Sequence, residues 1–78
     1  MEQLNLNSQI LQRILSRTMP FGKYKGVKLL DIPVSYLEWM EKKGWPEGAI
    51  GQELALVYEI KINGLMELLQ PLRKKSGA

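Results

Sequence analysis

Apolar residues near the start of the chain recur at helical spacing. Ile10, Leu11, Ile14 and Leu15 share one face of Ser8 to Arg17, and Gln9, Gln12, Arg13 and Ser16 fall on the other. Asn7 or Ser8 suits the N-cap, and Leu6 can staple onto Leu11. The pattern predicts an amphipathic helix. From Thr18 to Ile32 the periodicity breaks, because Pro20, Gly22 and Gly26 are incompatible with a helix. Short extended pieces, Thr18–Phe21 and Val27–Leu30, flank the glycines. They predict a small β-hairpin in which Gly22 and Gly26 supply unusual backbone angles. Two strands alone are barely stable, so the ribbon is expected to pack on a helix.

The helical pattern resumes at Pro33 and runs to Lys43. Pro33 fits a first turn, where its missing N–H is harmless. Tyr36, Leu37 and Met40 form an apolar stripe with Trp39 beside it, and Glu38, Glu41 and Lys42 lie outside. Gly44 fits the helix end, and Pro46 prevents continuation. Trp45 reads as a core plug between helices.

Leu54 to Ile62 supports two readings. The alternation of Leu54, Leu56, Tyr58, Ile60 and Ile62 suits a strand, with Asn63-Gly64 as a hairpin turn. Ile50, Leu54, Val57 and Tyr58 suit a helix, with Gly64 as its cap. The stretch after Gly64 offers no good return strand, since Met-Glu-Leu-Leu-Gln favours helix. A helix over Gly51–Asn63 is therefore expected, then a short one over Leu65–Gln70 ended by Pro71. The expected core is Ile14, Phe21, Leu29, Tyr36, Leu37, Met40, Leu54 and Tyr58. The fold class expected is α+β: one small domain over residues 1–72, with three to four helices and one short β-hairpin. Arg73 to Ala78 reads as a basic flexible tail.

Composition narrows the chemistry. The chain has 78 residues and neither cysteine nor histidine. Disulfides, thiolate metal sites, and Ser-His and Cys-His nucleophile pairs are excluded. Glu38, Glu41, Glu47, Glu53 and Glu59 are spread over two helices without a DxD or ExxH motif, and read as solvated faces. No enzymatic activity, metal or cofactor is expected. No apolar run approaches the ~18 residues of a membrane span, and the first residues, MEQLNLNSQ, do not resemble a secretion signal. The expected location is cytoplasmic, with no membrane partner.

Charge adds a direction. The net charge is only +3, but it is unevenly placed. Arg13, Arg17, Lys23, Lys25 and Lys28 precede Asp31 with no acid among them, whereas Asp31 to Glu67 holds seven acids and three lysines. An asymmetry of this kind suits a polyanion-binding face. The loop Phe21-Gly22-Lys23-Tyr24-Lys25-Gly26 stands out within it. Its glycines let backbone approach a phosphate, its lysines supply point charges, and Tyr24 offers a stacking face for an unpaired base. Lys28 extends the patch, and Arg13 and Arg17 could aid it. The spacing is not that of a P-loop. Two plainer readings stand beside this one. The lysines could simply protect an edge strand, and an apolar helix face could serve a protein partner or a homodimer.

The residues also resemble a family. Met19-Pro20-Phe21-Gly22-Lys23-Tyr24-Lys25-Gly26, then Leu29, Pro33, Tyr36-Leu37 and Trp39, are similar to a small bacterial family described as quorum-sensing-regulated virulence factors, of unknown function. Gly44-Trp45-Pro46-Glu47-Gly48, Gly51, Leu54, Tyr58-Glu59-Ile60 and Asn63-Gly64-Leu65 extend the resemblance, which spans roughly Thr18 to Arg73. A similar block is appended to exonucleases of the exodeoxyribonuclease X type, after their catalytic domain. That likeness implies an accessory role near nucleic acid or a nucleic-acid-processing protein, without catalysis. It brings no established site residues.

Overall fold

The computed structural model describes residues 8–69. Three α-helices follow one another, α1 (Ser8–Ser16), α2 (Val34–Lys43) and α3 (Ala49–Ile62), with a single 3-10 turn at Leu29–Asp31 between α1 and α2. Residues 66–69 add a last helical turn. The expected cap at Asn7, the Leu6 staple, the stop at Pro71 and the basic tail lie outside the described residues.

The expected β-hairpin is corrected. Among the described residues there is no strand, so their class is all-helical and not α+β. One isolated antiparallel bridge, Thr18 to Lys28, stands where the hairpin was expected. Three features stop the ladder there. Met19 donates to the Val27 carbonyl (2.8 Å) while its own carbonyl accepts from Gly26 (2.8 Å), so two residues oppose one, as in a bulge. Gly26 takes the left-handed conformation this requires, at φ 88°. Val27 N–H, which a regular ladder would aim at Met19, bonds the Tyr24 carbonyl instead (2.9 Å). Beyond Lys28 the chain coils instead of extending: Asp31 N–H bonds the Lys28 carbonyl and Ile32 N–H the Leu29 carbonyl. That 3-10 turn buries Leu29, Leu30 and Ile32 together, which a two-faced strand could not do.

The ambiguous segment is a helix, and burial shows why. Glu53, Leu54, Leu56, Val57 and Ile60 are all buried, a spacing of three and four, whereas Ile62 of the alternating set is exposed. The helix starts two residues before the expected Gly51. Its end is a Schellman motif: Leu65 N–H bonds the Ile60 carbonyl (2.9 Å) and Gly64 N–H the Lys61 carbonyl (3.3 Å). Gly64 sits at φ 68°, and Asn63 Nδ2 adds a bond to the Glu59 carbonyl at 2.8 Å.

Helices α2 and α3 pack on each other, and α1 and the 3-10 turn close the remaining side of α3. The core joins Ile14, Met19, Leu29, Leu30, Ile32, Leu37, Met40, Leu54, Leu56, Val57, Ile60 and Leu69. Phe21 departs from expectation at 42% exposed, and Tyr36 and Tyr58 are only half-buried. The bulge explains Phe21: Met19, not Phe21, is the residue the closed loop turns inward. No helix among the described residues is long and apolar enough to cross a membrane.

Candidate nucleic-acid interface

Two successive turns shape the loop tip. Lys25 N–H bonds the Gly22 carbonyl (3.1 Å), and Val27 N–H bonds the Tyr24 carbonyl (2.9 Å). They bring Lys23, Tyr24 and Lys25 together on a tip closed by the Thr18–Lys28 bridge. Lys23, Lys25 and Lys28 are exposed. Tyr24 is half-buried, its ring meeting that of Tyr36 edge to face at 4.8 Å and 68°. Lys23 Nζ lies 5.6 Å from the Tyr24 ring centroid. The loop is thus anchored to α2 through an aromatic pair.

The aromatic contact continues along α2. Tyr36 stacks on Trp39 (5.5 Å, 29°), and Lys43 Nζ lies over the Trp39 ring at 5.0 Å. Trp39 is 51% exposed. Tyr36, expected in the core stripe, is only half-buried, and Trp39 and Lys43, outside the expected site residues, lie beside it. The signal was present: at about 100° per residue, Trp39 and Lys43 fall beside Tyr36 on its solvent edge, away from Leu37. The acids of α2 take the other flank. Glu41 and Glu38, with Glu59, act on Tyr58; burial first, then these charges, hold its phenol above the usual value. Tyr58 in turn faces Trp45, 5.9 Å away. One flank of α2 is therefore basic and aromatic toward the loop, and the other acidic toward α3.

The two arginines differ. Arg13 is exposed on α1, an element separate from the loop. Arg17 reaches α3, where its Nε lies 2.8 Å from Glu53 Oε1. Glu53, expected on a solvated face, is 1% exposed. The contact is close enough for an ion pair yet not aligned as a hydrogen bond, and neither carboxylate oxygen has a hydrogen-bond partner among the described residues. Charge pairing with Arg17 is therefore what offsets the burial of Glu53. No local pattern marks Glu53 as buried; its position two turns before Ile60, on the apolar side of α3, was the one available hint.

Breaking a buried pair by removing one partner costs ~3–5 kcal/mol. Arg17 is 41% exposed, so water screens part of this. Arg17→Met is expected to lower stability by ~1–2 kcal/mol in urea melts. Adding Glu53→Leu should recover most of the loss. A single variant as stable as the parent, or a double variant no better than the single, would contradict the pairing.

Among the described residues no three acidic, histidine or cysteine side chains gather to hold a metal ion. No solved structure matches the chain. The chain is 40% identical over 70 residues to the uncharacterized protein YpeB of Escherichia coli K12, covering 88% of this chain and 97% of that protein. The YpeB of Escherichia coli O157:H7 matches to the same extent. The model of one family matches residues 7–72, a span that contains the loop, the aromatic flank of α2 and the Arg17–Glu53 pair. The chain thus belongs to the family described as "putative quorum-sensing-regulated virulence factor".

Proposed function

We propose that the chain is a non-catalytic module that contacts the sugar-phosphate backbone of nucleic acid through its loop. One observation carries the reading. Lys23 and Lys25 are exposed on a tip that two turns and the Tyr24–Tyr36 contact hold in one shape. A fixed tip presents its cations without losing much freedom on binding. Lys28 extends the charge at the loop base, and Arg13 adds to the field from α1. Arg17 contributes less, since its charge is balanced by Glu53.

Such contacts position the protein without reading sequence. With ~3–5 phosphates engaged, the log–log salt slope on duplex should be about −3 to −4.5. Lys23→Ala with Lys25→Ala should weaken binding to all sequences alike and reduce the slope by ~2. Fluorescence anisotropy with labelled oligonucleotides measures both. No signal at low salt and tens of micromolar protein, or binding indifferent to the double change, would end the nucleic-acid reading and favour a protein partner or a second copy of the chain.

A further inference from the structure

We infer that the ligand is single-stranded, and that one unpaired base stacks on Trp39. The inference rests on the nucleic-acid reading and narrows it. Tyr24, between the two loop lysines, is poorly placed for a base: it is half-buried and in edge contact with Tyr36. The aromatic series runs from Tyr24 through Tyr36 to Trp39, and its last ring is half in water. Trp39 stacks on Tyr36, yet half of its surface stays in water beside the loop lysines.

What covers the ring now is a cation. Lys43 Nζ sits over it at 5.0 Å, a weak attraction when exposed to water. An ammonium on a flexible four-carbon stem is easily displaced. A base entering from that side would replace it on the ring, and the freed ammonium would meet the flanking phosphate. Lys23 and Lys25 stand at the other end of the aromatic series for the next phosphates of the strand. Charge complementarity favours a polyanion on this flank. The opposite flank, with Glu38, Glu41 and Glu59 around Tyr58, repels one. A duplex keeps its bases stacked inside and offers no free ring, so the arrangement selects single strands.

The test compares a labelled oligothymidine with a duplex of equal length at low salt. Stacking of one base predicts that Trp39→Ala weakens single-strand binding about 5- to 150-fold and leaves duplex binding within about twofold. Trp39→Phe should keep most of the single-strand affinity. Thermal melts of both variants check the fold, which an exposed side chain should perturb little. If Trp39→Ala leaves single-strand binding unchanged, or weakens both ligands equally, the stacking inference is overturned while backbone contact stands. If the unaltered protein binds neither ligand, both readings fall.

Discussion

Leu37→Ala is expected to lower stability by ~2–5 kcal/mol. Leu37 is fully buried on α2, in the core that joins α2, α3 and the 3-10 turn. Its truncation removes the transfer energy of three carbons and leaves a cavity that helices fixed at both ends cannot close. The total stability of a chain this long is roughly 4–12 kcal/mol, so much of the population would unfold. Urea melts decide the matter, and a loss below ~1 kcal/mol would show that Leu37 is not part of the core.

Gly51→Ala is expected to be comparably damaging, against the usual trend. In an ordinary helix interior this change stabilises by ~1 kcal/mol. Here an added Cβ would lie 1.7 Å from the Pro46 carbonyl oxygen and 2.8 Å from its carbon. Both obstacles are backbone, so no side chain can swing away. The connector between α2 and α3 crosses the first turn of α3 at this point. Either the connector or the helix must move, and α2 then loses its seat. The expected net loss is ~3 kcal/mol, at the upper end of overpacking costs. Gln52→Ala, exposed in the same turn, should be nearly neutral in the same melts. A neutral or stabilising Gly51→Ala would mean that the connector does not run against Gly51.

The helices were legible because periodicity and punctuation agreed. Pro33 before α2 and Gly44 after it fixed both ends, with Gly44 at φ 111° and its N–H on the Met40 carbonyl. Gly64 closed α3 in the way its sequence position implied. The hairpin stops after one pair partly through the local bulge at Gly26 and partly for a reason that local pattern does not encode. Thr18 and Lys28 do pair, but whether a pair grows into a ladder depends on what the next residues bury. Leu29, Leu30 and Ile32 reach the core by coiling, and tertiary packing decided this.

The site was legible in part. The loop's charge and glycines were plain in the sequence, and Gly22 and Gly26 take the positive φ values the loop was expected to need. Tyr24 reads as a stacking face because it lies between lysines in the chain. Its contact with Tyr36 could not be seen there, since the two are twelve residues apart. Glu53 was hidden because a buried carboxylate is recognised by its partner, and Arg17 lies on another helix's exit.

An amide-resolved titration of the nitrogen-15-labelled chain with an oligothymidine tests loop contact most directly. The two tryptophan indoles serve as internal markers, because Trp39 lies on the basic flank and Trp45 packs against Tyr58 beside the acidic one. Backbone signals of Gly22, Lys23, Tyr24, Lys25 and Gly26 should shift together with the Trp39 indole N–H, and the Trp45 indole should stay in place. Shifts confined to Trp45 and its neighbours on α3, or none at all at low salt, would contradict nucleic-acid binding at the loop.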